Sequence, residues 1–375
     1  MAAFEVKIYK LTIEDHSNAD ALELAVVGDF RAIVMKDAFK TGDLAAYIPE
    51  GSIVPDWLIA SLGLEGRLAG KAKNRVKAIK LRGILSQGLI VPLEGEAHPS
   101  FPDACTHAIV GETATMGVCE GDDVTEFLGV TKYEPVIPSC MNGEVFNAFG
   151  YTLKYDIENI KKFPDVLQEG EEVVIAEKIH GTWTCFGHHS DVGKVITSKG
   201  LSGQGLAFKL NEANDRNLYL RVLKATGEEG RTILDRMINI YTNNDGWPAI
   251  YLLGEIFGRG VQDLAYGSET PSFRLFDVYF GSPGEGKYLD HKGIVEIAGI
   301  LGIETCPILY KGPYSEEIVE KLTKGRETVS GAEANIREGV VIRPTSERRD
   351  VELGRVILKS VSEDYLLRKN ATEYN

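Results

Sequence analysis

Short apolar runs separated by glycine-containing turns dominate the first third of the chain. Residues 25–27 and 31–35 flank Gly28-Asp29, and residues 44–49 follow Gly42-Asp43. Both dipeptides are hairpin-type turn signals. Residues 57–62 predict a short helix, and residues 76–81 and 88–93 predict a further β pair around Arg82-Gly83. Many short strands at close spacing predict a small OB-like barrel over residues 1–130. Residues 131–164 read as a connector punctuated by Pro135, Pro138 and Pro164. Beyond it the runs lengthen. Strands are expected over 173–179, 183–187, 250–256, 273–280, 338–343 and 355–361. Helical periodicity covers 218–241, 292–301 and 316–322, the last preceded by Ser315 as N-cap. Strands and helices do not alternate regularly, so an α+β domain is expected over 165–375.

Composition narrows the setting. The 375 residues, 43% hydrophobic and 26% charged, suit two globular domains. No apolar stretch has the length of a membrane span, and the N-terminus lacks the layout of a secretory signal. Five scattered cysteines, Cys105, Cys119, Cys140, Cys185 and Cys306, form no C-x-x-C pair. That pattern suits core residues in a reducing, cytoplasmic setting. His188-His189 suggests an exposed loop, not a metal site, and isolated histidines such as His98 receive no role. Nothing in the sequence points to a protein partner.

A net charge of −14 argues, taken whole, against nucleic acid as a ligand. The local distribution changes that. Arg67, Lys71, Lys73, Arg75, Lys77, Lys80 and Arg82 follow one another with no acid between them. On a strand, Lys73, Arg75 and Lys77 would share one face and track a phosphate backbone. A solvated strand face is the competing reading.

Chemistry concentrates at Glu177-Lys178-Ile179-His180-Gly181, where a β run ends in a turn. Lys-x-x-Gly alone is weak, expected by chance about once in a chain this long. Lys80-Leu81-Arg82-Gly83 and Lys224-Ala225-Thr226-Gly227 match it too. Only Lys178 is followed by an ordered series: Ser198-Lys199-Gly200, Leu253-Gly254-Glu255-Ile256-Phe257-Gly258, Leu275-Phe276-Asp277-Val278-Tyr279, Glu338-Gly339-Val340-Val341-Ile342-Arg343, and Val356-Ile357-Leu358-Lys359-Ser360.

This series resembles motifs I, Ia, III, IIIa, IV and V of the covalent nucleotidyltransferases, across roughly residues 150–362. That superfamily holds ATP-dependent RNA ligases, DNA ligases and RNA capping enzymes. A β-rich module in front of the catalytic domain resembles the RNA ligases typified by the Deinococcus radiodurans enzyme. So do Lys80-Leu81-Arg82-Gly83-Ile84-Leu85-Ser86-Gln87-Gly88-Leu89 and Lys154-Tyr155-Asp156-Ile157-Glu158-Asn159-Ile160. The resemblance implies an adenylyltransferase domain of antiparallel sheets with flanking helices. It also implies sealing of 3′-OH/5′-phosphate nicks in RNA or RNA–DNA duplexes through lysyl-AMP.

Within that resemblance Lys178 is the nucleophile, and Glu177, His180, Gly181, Glu255, Phe276 and Lys359 hold ATP. Phe276 offers its ring to adenine and Glu255 accepts from the ribose. Glu338 ligates Mg²⁺ or Mn²⁺. Lys199 meets the 5′-phosphate or pyrophosphate, and Lys73, Arg75, Lys77 and Arg82 grip RNA. Lys359 and bound metal are expected to depress the pKa of Lys178, which must be deprotonated to attack. Two positions depart from the pattern. His180 stands where motif I usually has Asp, and Ile357 where motif V usually has its first lysine, so the second cation either comes from elsewhere, with Arg355 the candidate, or is missing. A DNA ligase, a capping-type transferase and an inactive nucleic-acid-binding relative are the alternatives.

Overall fold

The computed structural model describes residues 4–96, 107–134, 137–227, 230–242, 247–369 and 371–372. Pro135, His98 and Cys105 lie outside the described residues. The chain divides into two units, residues 2–134 and 135–375.

In the front unit, Leu22–Val27 and Phe30–Met35 form the hairpin expected around Gly28, whose φ of 55° is the left-handed geometry the turn demands. Thr12–Asp15 extends it to a three-stranded meander. Lys7–Lys10, Leu44–Ile48 and Leu89–Pro92 make a second antiparallel sheet. Alternate residues of these strands, with Leu58 and Ile59 of the helix Asp56–Ser61, enter one core with Val6, Ile109, Val118 and Leu128.

Two expectations here are corrected. Ile79–Leu81 pairs with Ile84–Ser86, not with residues 88–93, because Arg82 (φ 48°) and Gly83 (φ 93°) close a two-residue left-handed loop. Leu89–Pro92 is thereby free to pair with Leu44–Ile48. Nor do Lys73, Arg75 and Lys77 share a strand face. Ala69 and Arg75 exchange backbone hydrogen bonds of 2.9 and 3.0 Å, and Lys73 sits in the enclosed turn with φ 56°. Arg75 lays its guanidinium 3.5 Å from the centre of the Tyr133 ring. Alternating side chains cannot reveal such a loop, since alternation describes a face only once the backbone is extended.

The second unit is built on two five-stranded sheets. The first runs Glu158–Asn159, Leu358–Val361, Gly339–Pro344, Glu172–Lys178, Ile308–Pro313. The second runs Gly193–Ser198, Thr182–His189, Ala249–Phe257, Ser272–Phe280, Lys287–Tyr288. All pairings are antiparallel except that of Glu158–Asn159 with Leu358 and Lys359. Strand periodicity sorts the residues. Val173 and Ile175 enter a core with Val340, Ile342 and Leu358, while Val174, Ala176 and Lys178 face the opposite way, toward the second sheet. On that sheet Phe186, Leu252, Leu275 and Val278 pack under Leu218–Ala225, Ile233–Thr242 and His291–Leu301. Cys185, Tyr251 and Leu253 turn inward with Tyr155 and Ile357.

Residues 218–241 are not one helix: Gly227 and Gly230 (φ 77°) separate its two halves. Residues 355–361 are likewise interrupted between Gly354–Arg355 and Leu358–Val361. Ser315 caps its helix as expected, accepting from Ile318 N at 3.3 Å. His188 and His189 lie on the strand Thr182–His189, not in an exposed loop, and buried His189 meets Ser282 Oγ at 3.1 Å. Among the described residues no helix is long and apolar enough to cross a membrane.

Candidate active site

A cavity of about 240 Å³ opens between the two sheets of the second unit. Lys178, the last residue of its strand, projects into it. Lys178 pairs with Gly339 in the sheet register, which sets Glu338 beside it: Lys178 Nζ donates to Glu338 Oε1 at 2.6 Å. Glu338 is only 6% exposed, and its Oε2 has no hydrogen-bond partner. A buried carboxylate oxygen without a partner is costly unless a ligand satisfies it.

Gly181 turns the chain from the Lys178 strand to Thr182–His189. A Cβ there would stand 2.1 Å from Ile256 O, so no other residue permits this approach. The turn brings Glu255, which sits opposite Trp183, to the cavity wall and into hydrogen-bonding contact with Gly181 N. Lys359 enters from the strand opposite Val341. Lys199 opens a helix capped by Ser198, and its Nζ reaches Asp156 Oδ1 at 2.8 Å. The other wall is aromatic: Tyr155 lies 5.4 Å from Phe276 and 6.3 Å from Trp183, centre to centre. Trp183 Nε1 is buried without a partner.

Burial opposes charge on Lys178, yet Glu338 and Glu255 outweigh it and its pKa is raised from the ordinary value. Lys359 by itself therefore does not depress Lys178, which leaves that role to bound metal. Lys359 is the depressed lysine. Burial, then the charges of Lys178 and Lys199, bring it down to about 8. Burial likewise pushes Glu255 up to about 8, against the pull of Lys178.

Residues 171–361 match the family model described as RNA ligase, just over half of the 375-residue chain. The chain belongs to the RNA ligase family. Residues 6–93 match an OB-fold domain model, so an N-terminal OB-fold domain precedes the α+β ligase domain. Solved structures of Naegleria gruberi RNA ligase share the fold. One, a variant with AMP and Mn, has TM-score 0.73 at 21% identity, covering 97% of this chain and 98% of that one. The enzyme with PPi gives 0.72 at 22%, with the same coverage. A variant with ATP and Mn gives 0.72 at 21%, covering 96% and 98%. No curated protein matches the chain in sequence.

In this ligase, Lys178, Gly181, Lys199, Glu255, Phe276 and Lys359 line one cavity, with Glu338 bonded to Lys178. His180 does not face it. Its ring, 5% exposed, is held by Asp263 Oδ1 on Nε2 and Tyr365 Oη on Nδ1, both at 2.8 Å, with Arg368 Nη2 at 3.2 Å. A direct contact between His180 and a ribose is therefore not what this arrangement offers. Glu177 also lines the cavity, but its Oε2 is held by Thr328, whose N and Oγ1 donate at 2.8 and 2.6 Å, while its Oε1 is buried without a partner. Arg355 is no substitute cation for Ile357. It is bound to Asp277 and Glu347 and stacks 3.7 Å from the centre of the Tyr288 ring. Lys73, Arg75, Lys77 and Arg82 belong to the other unit.

Sequence reasoning missed Tyr155, Trp183 and Arg343 as cavity residues. Trp183 carried a signal, since a strand with Cys185 and Gly187 turned inward presents it on the same face. For Asp263, Tyr365 and Arg368 no local pattern pointed to His180.

Proposed function

We propose that this enzyme is an ATP-dependent RNA ligase that seals 3′-OH/5′-phosphate nicks through AMP carried on Lys178, in the manner of the Deinococcus radiodurans type. The observation that carries the reading is the lysine Nζ at the mouth of a cavity that also presents an aromatic wall, two further lysines and a buried, half-satisfied carboxylate. The Naegleria gruberi structures with AMP, ATP, PPi and Mn support the choice of nucleotide and metal.

Adenine lies against Phe276 and Tyr155, and Trp183 Nε1 is available to donate to it. Lys199 and Lys359 offset the phosphate charge. Lys178 Nζ, once it has lost its proton to solvent, attacks the α-phosphorus; the N–P bond forms and pyrophosphate leaves. A 5′-phosphate oxygen of the RNA then attacks the same phosphorus, and Lys178 Nζ departs and takes back a proton. Finally the 3′-OH attacks the RNA phosphorus, loses its proton, and AMP leaves. A divalent cation fits the free Glu338 Oε2, and it would supply charge compensation for the phosphates and for the carboxylate that now holds Lys178 protonated. Among the described residues no three His, Cys, Asp or Glu side chains cluster around a metal position. That suits Mg²⁺ or Mn²⁺ held mainly by one carboxylate, waters and substrate phosphates.

Incubation with α-labelled ATP tests the reading: an acid-stable AMP label that disappears in Lys178→Ala is expected. Its absence from the unaltered protein with both Mg²⁺ and Mn²⁺ overturns the proposal. Nicked duplexes with RNA or DNA on each side then assign the strand that must supply the 3′-OH.

A further inference from the structure

A second cavity of the ligase unit, about 650 Å³, has no part in the chemistry above. Five cations line it, Lys154, Lys287, Arg348, Arg349 and Arg355, against the single carboxylate of Glu347. In a chain of net charge −14 this is a local inversion of sign. Glu347 is already taken by Arg355 through hydrogen bonds of 2.7 Å, and Arg348 is paired with Glu171. The side chains of exposed Lys154 and Arg349 make no ion pair or hydrogen bond among the described residues, and that of exposed Lys287 overlies the Trp247 ring at 5.5 Å. On the rim Phe149 is 80% exposed and rests on Gly205, where a Cβ would meet it at 3.1 Å. A bare aromatic ring beside unpaired cations is how proteins hold single-stranded nucleic acid, with phosphates on the cations and a base on the ring.

The position of the cavity decides what it serves. Three chain segments each line both cavities. Residues 152–154 belong to the second and Tyr155 and Ile157 to the first. Ser202 belongs to the second and Lys199, on the same helix, to the first. Arg355 belongs to the second and Ile357 and Lys359 to the first. The two therefore adjoin, with Tyr155, Asp277 and Arg355, hydrogen-bonded in a chain, at their boundary.

We infer that the second cavity is the track for the RNA strand next to the nick, with Lys154, Lys287 and Arg349 on its phosphodiesters and Phe149 under one base that is unpaired from the duplex. The inference rests on the reading of the chain as an RNA end-joining enzyme. It names the part of that substrate which meets the ligase unit away from the reacting phosphate.

The test is the combined variant Lys154→Ala, Lys287→Ala, Arg349→Ala, with Phe149→Ala as a separate protein, both in the full chain. Binding of a nicked RNA duplex is measured across salt concentrations. The triple variant is expected to bind at least about tenfold more weakly at low salt. Its log–log salt slope should be shallower by about 2, given ~0.7–0.9 per phosphate contact. Phe149→Ala should bind about tenfold more weakly with an unchanged slope. AMP labelling from ATP stays within about twofold of the parent in both. Unchanged affinity and slope in the triple variant overturn the inference. So does a variant that binds RNA normally but loses pyrophosphate-driven release of AMP, since the cavity would then be a pyrophosphate site. If the parent takes up no AMP label, the proposed function fails, while the binding slopes still decide the role of this cavity.

Discussion

In the front unit, seven cations from Arg67 to Arg82 are neighbours in sequence, whereas the ligase cavity gathers Lys178, Lys199 and Lys359 from two distant strands and a helix. The first group reads as the more pointed in sequence, and the fold disperses it. Lys73 goes into a turn, Arg75 onto Tyr133, and Arg82 into the left-handed corner of a hairpin. The second group is invisible as a cluster until the sheets bring it together, and then its members differ in kind. Lys178, against Glu338 and Glu255, has its pKa raised despite burial; Lys359, buried and then faced by two other lysines, is brought down to about 8. Charge in a row supplies attraction to a polyanion, while charge converging in a partly buried cavity supplies tuned chemistry.

The largest effect that would break this contrast is at Lys178. Lys178→Ala and Lys178→Arg should both lose the AMP label entirely, because a guanidinium keeps the charge without an available nucleophilic lone pair. A labelled Lys178→Arg protein would put the nucleophile elsewhere. Next comes Glu338→Gln, expected to slow label formation by about a hundredfold or more in single-turnover experiments across Mn²⁺ concentration. Parental rates in that variant would remove Glu338 from the reaction.

Stability offers the third test. Asp263 holds His180 and Arg368 in a largely buried cluster, and Asp263→Asn should cost about 3 kcal/mol in denaturant unfolding. Burial pushes against it, but hydrogen bonds from His180 and Arg368 hold the Asp263 carboxyl well below its usual range. A carboxyl depressed in the folded state contributes stability that is fully present above its unfolded pKa of ~3.9 and is lost as pH falls below it. The parent should therefore lose stability more steeply than Asp263→Asn below about pH 4.

A smaller effect sharpens the electrostatic side. Since Lys359 titrates at about 8, its charge is present below that pH and lost above it. ATP affinity should fall several-fold as pH rises from 7 to 9, and Lys359→Arg, which stays charged, should reduce that fall to the part due to Glu255, which gains its charge over the same range. Smallest of all, replacing Lys73, Arg75 and Lys77 by alanine in the front unit should weaken nick binding a few-fold and lower its salt dependence. AMP labelling should be untouched. A loss of labelling there would erase the division between the two kinds of basic site.

Much of the architecture was legible beforehand, and for local reasons. The hairpin around Gly28, the Ser315 cap and the core strands of the ligase unit depend on residues within a few positions of one another. The ordered motif series separated Lys178 from its two Lys-x-x-Gly decoys. Of these, Lys224 turns out to be an exposed lysine paired with Asp215. The partner of Ile79–Leu81 is not legible in the hydrophobic pattern, because two left-handed residues set that register.

The sequence by itself determined the family, the order of the two domains and the identity of the lysine at the strand end. Only the tertiary structure decided where the side chains near that lysine point and what charge they carry. His180 is two residues from Lys178, yet its ring answers to Asp263, Tyr365 and Arg368. Lys178 itself answers to Glu338, 160 residues away. Charge–charge interactions and desolvation depend on distance through the folded protein, and distance along the chain does not contain it.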